Sequence, residues 1–255
     1  MTPAGDRFSL DGQVAIVTGG GTGIGRATAL VLAQYGADVV VAGRRPDPLE
    51  ETVAAVEALG RKAIAAPLDV TEPEQCKRLV DVAVDTLGHV DVLVNNAGGG
   101  IMKPIMDWAD GEWDQVMDVN LKSAWFTSRY AAQHMLSQGR GAIVNISSAA
   151  GLHPMAAAAI YGAAKAGLNN LTGSMAQAWT SRGIRVNCIA CGAIRTPGLE
   201  NVAETAGFDV EMLGQSNALG RLADPEEIAF GVLFFASEAA SFCSGQTLYV
   251  GGGPK

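Results

Sequence analysis

QVAIVTGGGTGIGRATALVLAQY, residues 13 to 35, changes character twice along its length. Residues 13 to 18 form an apolar, β-branched run, and from Gly25 to Tyr35 apolar positions return at helical spacing. Between them Gly19, Gly23 and Gly25 are spaced G-x-x-x-G-x-G, with Thr22 and Ile24 filling the turn. Glycines between a strand and a helix let the backbone approach a pyrophosphate. The free N–H groups and positive end of the helix then stabilise its charge. A merely flexible glycine-rich turn is the alternative reading; the strand before and the helix after weigh against it.

The same alternation continues outward from this stretch. DVVVAG (38 to 43), KAIAAP (62 to 67), DVLVNN (91 to 96), GAIVNIS (141 to 147), IRVNCIA (184 to 190) and QTLYVG (246 to 251) read as strands. Most are near-continuous apolar runs, as expected of strands buried on both faces of a parallel sheet. Helical patterns lie between them, for example Leu49 to Leu59, Pro73 to Leu87, Leu121 to Leu136, Ile160 to Thr180 and Pro225 to Ser237. The expected fold is an α/β, doubly wound parallel sheet with helices on both faces, built as one domain over residues 1 to 255. Ligands of such sheets bind beyond the carboxyl ends of the strands, so the residues after each strand are where chemistry is expected.

After the second strand comes AGRRPD, in which Arg44 and Arg45 precede any carboxylate. An acidic residue here would bind an adenosine ribose 2′-hydroxyl, whereas arginine suits a 2′-phosphate, so NADP(H) is favoured over NAD(H). The alternative is that both arginines are solvated charges at a helix entry. After the third strand LDVT places Asp69 and Val70 to contact an adenine edge and face. After the fourth, NNAGGG supplies Asn95, Asn96, Ala97 and Gly98, a small-residue turn able to pack against a ribose. After the fifth, NISSAAG brings the hydroxyls of Ser147 and Ser148, and AIYGAAK then sets Tyr161 and Lys165 four residues apart, on one helix face.

Taken in order, TGGGTGIG, NNAG, the Asn of VNLKS, ISSAAG and YGAAK resemble the short-chain dehydrogenase/reductase family over almost the whole chain. The resemblance implies a single Rossmann-type domain of the 3-oxoacyl-reductase-like kind and a catalytic tetrad of Asn120, Ser148, Tyr161 and Lys165. Ser148 is chosen over Ser147 because the family's serine commonly lies 13 residues before the tyrosine. It also implies cofactor contacts from Gly19, Thr22, Gly23, Ile24, Gly25, Arg44, Arg45, Asp69, Val70, Asn96, Ala97, Gly98, Tyr161, Lys165, Ile194 and Thr196. Lys165 would also bind the nicotinamide ribose, and Asn120 would hold a water in a proton relay. A homotetramer is implied too, with Leu121 to Leu136 and Ile160 to Thr180 forming one contact. The chain departs from the family pattern at Cys191, where proline is usual, and in a final GGG where Asp-Gly-Gly is usual.

A free phenol has a pKa near 10 and exchanges protons poorly at neutral pH. A cation within about 4 to 6 Å favours its anion, so Lys165 and a positive nicotinamide ring are expected to lower the pKa of Tyr161. Tyr161 would then donate a proton to a ketone oxygen as hydride arrives and remove it in reverse, with Ser148 holding that oxygen.

The remaining composition narrows partners. Of 255 residues, 48% are hydrophobic and 17% charged, and the formal charge is 18 − 26 = −8, against a nucleic-acid partner or an anionic membrane surface. The start has no apolar run of signal-peptide length and no later run has membrane-spanning length, so a cytoplasmic protein is expected. Cys188 and Cys191 form a C-x-x-C, but no second pair or nearby histidine completes a metal site, and none is expected. The segment 195 to 222 is read as a lid over the site. Its Leu199, Phe208, Met212 and Leu213, with His153 and Met155, suggest an apolar pocket, or else the core contacts of a short helix. Little positive charge near HMLSQGRG favours a small ketone or alcohol, a steroid-like ring or a CoA thioester over a carrier protein. The rival functions are an NAD-dependent alcohol or hydroxysteroid dehydrogenase with the same tetrad and a catalytically silent dinucleotide-binding protein.

Overall fold

A computed structural model of the chain describes residues 7–254. Residues 1 to 6 of the leader reading, and Lys255 of the domain range, lie outside the described residues. Seven parallel strands form one sheet in the order β3-β2-β1-β4-β5-β6-β7. They are β1 Val14–Thr18, β2 Asp38–Gly43, β3 Ala63–Pro67, β4 Val92–Asn95, β5 Gly141–Ser148, β6 Ile184–Cys191 and β7 Thr247–Val250. The order reverses between β1 and β4, the point at whose carboxyl ends such sheets bind ligands.

Period-two alternation explains why the strands read as unbroken apolar runs. Ala15 and Val17 of β1, with Val39 and Val41 of β2, join the core on one face. Val14, Ile16, Val40 and Ala42 join the core on the other. Helices α1 (Gly23–Gln34), α2 (Pro46–Glu57) and α9 (Pro225–Ala236) cover the first face. Helices α3 (Pro73–Leu87), α5 (Ser123–Gln138) and α6 (Ala159–Trp179) cover the second. The β-branched valines suit the pleated surface, and both faces are dry.

The helix expected from Leu121 is part of a longer structure. Helix α4 (Asp110–Met117) runs through a π-helical turn at Asp118–Lys122 directly into α5. The segment 195 to 222, expected to be a lid, is about half helix. Thr196 caps α7 (Pro197–Ala206), its Oγ accepting the Leu199 N–H at 3.1 Å, with proline in the first turn and Gly207 in the left-handed region closing it. A short α8 (Glu211–Gly214) follows. The two ends of the lid are tied together: Ile194 and Ala223 form a parallel bridge, with Arg195 N–H donating to the Ala223 carbonyl at 2.8 Å. No helix among the described residues is long and apolar enough to cross a membrane.

Candidate active site

The glycine turn after β1 is held open for a ligand by its own backbone. Gly19 has φ of 65°, a conformation that side chains disfavour, and a Cβ on Gly25 would collide with the Gly19 carbonyl. The α1 N-cap, Thr22, makes no side-chain capping bond, which leaves first-turn N–H groups for an anion. These features fit the pyrophosphate of a dinucleotide. A Cβ on Gly23 would lie 3.0 Å from Cγ2 of Thr196, so the start of the lid meets the same turn. Ile24 is half-buried in the first turn of α1, and Ile194 is buried at the base of the lid.

Asn96 braces this turn. Its Nδ2 donates to the carbonyls of Thr18 (2.9 Å) and Gly19 (3.2 Å). Thr18 Oγ1 in turn accepts the N–H groups of Asn96 and Ala97, both at 3.0 Å. Losing the Asn96 amide strands two carbonyls, at about 1 kcal/mol each. Asn96→Ala is expected to lower Tm by about 4 to 8 °C for a chain of this size and to weaken dinucleotide binding. A Tm shift below about 1 °C in thermal denaturation would remove the brace assignment.

At the end of β2, Arg44 and the α2 N-cap Arg45 are exposed. Neither has a hydrogen bond or ion pair among the described residues. After β3, Asp69 Oδ1 accepts from the Thr71 N–H (2.9 Å) and hydroxyl (2.8 Å), which fixes the carboxylate. Val70 beside it is buried.

Tyr161, Ser148, Lys165 and Asn120 converge at the carboxyl ends of β4 and β5. Lys165 is 3% exposed; its Nζ donates to the Ile146 carbonyl at 2.8 Å and lies 5.6 Å from the Tyr161 ring centre. The turn at Gly98 to Gly100 closes over this group. A Cβ on Gly98 would lie 2.6 Å from Asn120 Oδ1 and 3.4 Å from Lys165 Nζ, and one on Gly100 would lie 3.4 Å from the Tyr161 ring. Ser147 is buried, with its hydroxyl donating to the Lys165 carbonyl at 3.2 Å. Ser148 is half-buried beside the phenol, capping the 3₁₀ turn at Ala149–Gly151. The π-helical turn carries Asn120 inward. Its Oδ1 accepts the Gly99 N–H at 3.2 Å, and its Nδ2 donates to the carbonyls of Gly99 and Val116, each at 2.9 Å.

The protein's own atoms do not lower the Tyr161 pKa as expected. Burial pushes it up to about 12, opposed by hydrogen bonding with Ser148. Burial also pushes Lys165 down to about 8, with Cys188 and Cys191 acting the other way. The lysine charge is turned toward the Ile146 carbonyl and not onto the phenol oxygen. At neutral pH the phenol therefore holds its proton, the form that a donor needs.

Cys188 and Cys191, three residues apart on β6, point to opposite faces of the strand and cannot pair. Burial raises both thiols, to about 11 and about 12, and they are inert. Among the described residues no three His, Cys, Asp or Glu side chains are grouped to hold a metal.

A cleft of about 430 Å³ is walled by Met102, Pro104, Ile105, Ala157 and Phe208, with Lys103 at its edge, and Gly100, two residues before Met102, packs against the Tyr161 ring. Of the six pocket residues expected from sequence, Phe208 lines this wall. Met155 and Met212 are instead exposed, and Leu199, Leu213 and His153 do not line the cleft. Residues 102 to 105 and 156 to 157 take their place because the Lys103 N–H donates to the Ala157 carbonyl at 2.9 Å, joining the two segments.

Sequence reasoning also missed a buried network behind the site. Asn95 Nδ2 donates to Ser128 Oγ and Asn145 Oδ1, both at 2.8 Å, and Asn145 Nδ2 donates to Thr172 Oγ1 at 2.9 Å. Thr127 donates to Asn95 Oδ1, so the side chains of β4, β5, α5 and α6 are locked in one arrangement. An Asn inside each of the apolar runs DVLVNN and GAIVNIS was the available signal.

A family model described as short chain dehydrogenase matches residues 13–207. The chain is 37% identical over 244 residues to a 3-oxoacyl-acyl-carrier-protein reductase of Thermotoga maritima, covering 96% of this chain and 98% of that one. It is 39% identical over 248 residues to a 7alpha-hydroxysteroid dehydrogenase of Escherichia coli (strain K12), covering 97% and 96%. A solved structure of a putative NAD(P)-dependent gluconate 5-dehydrogenase from Beutenbergia cavernae, with bound NADP at low occupancy, superposes with a TM-score of 0.90. That protein is 36% identical, with 96% of this chain and 98% of that chain covered.

Proposed function

Because the chain belongs to the short-chain dehydrogenase/reductase family and is an oxidoreductase, we propose that it interconverts a ketone and a secondary alcohol with NADP(H), using Tyr161 as acid and base. The observation that carries this reading is the convergence of Tyr161, Ser148 and Lys165 beside a glycine turn shaped for a pyrophosphate. The bound dinucleotide would donate or accept the hydride. Gly19, Gly23 and Gly25 would hold its pyrophosphate, Asp69 and Val70 its adenine, and Lys165 its nicotinamide-side ribose.

In reduction, Tyr161 gives its proton to the carbonyl oxygen while Ser148 holds that oxygen by a hydrogen bond. In oxidation the phenolate takes the proton back. Both amide protons of Asn120 are committed to carbonyls. A relay water at this residue would therefore donate to an oxygen and not accept from the amide. The exposed Trp125 on α5, within the expected 121 to 136 contact, supports a homotetramer in which α5 and α6 form one interface. We further propose that residues 1 to 255 act as one dinucleotide-binding unit, with 195 to 222 as its lid.

The primary test is a panel of ketones and secondary alcohols with both dinucleotides, followed by absorbance of the reduced nicotinamide. Conversion with neither dinucleotide would leave only a binding protein. For cofactor choice, the unpaired Arg44 supports NADP(H), where an acidic residue would favour NAD(H). Arg44→Asp is expected to shift the NADPH/NADH ratio of kcat/KM at least about tenfold toward NADH, the scale of one charged hydrogen bond. An unchanged ratio would remove Arg44 from the 2′-phosphate site.

A further inference from the structure

The cleft carries information about the substrate that the catalytic residues do not. Its two walls come from segments that lead to the tyrosine: Ala157 lies four residues before Tyr161 in sequence, and Met102 lies two residues after Gly100, which packs against the Tyr161 ring. Its surface is almost wholly apolar. The one cation at its edge, Lys103, is ion-paired to Glu112, and its ammonium sits 5.0 Å from the centre of the Trp108 ring. Arg195, at the start of the segment that supplies Phe208, is paired with Glu211 of α8 at 2.7 Å. Lys165, beneath the glycine turn, is committed to the Ile146 carbonyl.

A carboxylate placed against these apolar walls would give up part of its hydration and find no free cation, a penalty of the kind that sets specificity. We propose that this cleft selects ketones flanked by an apolar, uncharged group, and that the Lys103–Glu112 ion pair is the element that turns away a carboxylate. The inference rests on the ketone-reducing function proposed above and narrows it. It sets the chain apart from the putative gluconate 5-dehydrogenase of Beutenbergia cavernae, with which it shares its fold. Lys103 is the specificity residue at the cleft, and Glu112 positions and neutralises it.

The experiment compares kcat and KM for 4-tert-butylcyclohexanone and 5-keto-D-gluconate with NADPH. The parent protein is expected to favour the cyclohexanone by at least about 100-fold in kcat/KM. Glu112→Gln frees the Lys103 charge while leaving an amide oxygen to accept the Ala109 N–H that starts α4, a bond of 2.7 Å in the parent. KM for ketogluconate is then expected to fall about tenfold, the size of a hydrogen bond to a charged group. The gain should vanish in Lys103→Met/Glu112→Gln, which a purely structural role for Glu112 would not produce. Lys103→Met alone, leaving Glu112 without its cation, should make ketogluconate a still poorer substrate. A parent preference for ketogluconate, or an unchanged KM in Glu112→Gln, overturns the selectivity while leaving ketone reduction in place. Conversion of neither ketone, nor of their alcohols, with either dinucleotide overturns the underlying function and this inference with it.

Discussion

Tyr161→Phe is expected to lower kcat/KM for ketone reduction by roughly 10²- to 10⁴-fold, the usual contribution of a positioned general acid. The substitution removes one oxygen and keeps the ring, so the packing of Gly100 against it is retained. Dinucleotide affinity, read by fluorescence of the reduced nicotinamide, should change little by comparison. Burial pushes the phenol's pKa up to about 12, so it holds a proton to give at neutral pH, and the positive nicotinamide ring of the bound oxidised cofactor would favour the phenolate that results. A loss below about tenfold would show that the proton comes from elsewhere.

Lys165→Met is expected to abolish most of the turnover and yet to stabilise the fold. An ammonium has three N–H groups, the Ile146 carbonyl takes one of them, and the side chain is 3% exposed. Burial pushes its pKa down to about 8, below its value in the unfolded chain, near 10.4. Between these values the unfolded state binds more protons, so this group's contribution to stability improves as pH rises through that window. Below pH 8 the buried charge is a full cost, and there the apolar variant gains most. Thermal denaturation at pH 7 should give a Tm higher by about 2 to 4 °C for each kcal/mol recovered in a chain of this length. The gap should close as pH approaches 10. A Tm below the parent's at pH 7 would mean that the amine is held more favourably than its burial implies. A raised Tm, as expected, would mean that the protein retains a destabilising residue at this centre, a common arrangement where function and stability compete.

The sheet was legible because burial on both faces leaves a strand no reason to alternate. Val39 to Ala42 and Val92 to Val94 therefore stand out as apolar blocks between polar helices. Turn chemistry after the strands was legible for a different reason: glycines at 19, 23 and 25 answer to close contacts that no other residue satisfies. Helix α4 was not read because DGEWDQVM is mostly polar, with Val116 its buried residue. The π-helical turn that aims Asn120 has no local sequence signature; it is fixed by the side chain's bonds to Gly99 and Val116. Helix α7 could have been read, since Thr196, Pro197 and Gly207 are ordinary start and stop signals. The cleft could not, because its walls come from segments 102 to 105, 156 to 157 and 206 to 208, joined by folding alone. Tyr161 and Lys165 were placed correctly on one helix face, but the direction of the lysine charge depends on the carbonyl of Ile146, on another element.

The bridge between Ile194 and Ala223 has an evolutionary side. Because the two stems of the lid are pinned to each other, what lies between them is a cassette. Lengthening such a loop costs little, about 0.6 kcal/mol of closure entropy per doubling, and need not disturb β6 on one flank or α9 on the other. Descendants of this sequence can thus rewrite this one surface segment while inheriting the sheet, the glycine turn and the Tyr161–Lys165 group intact.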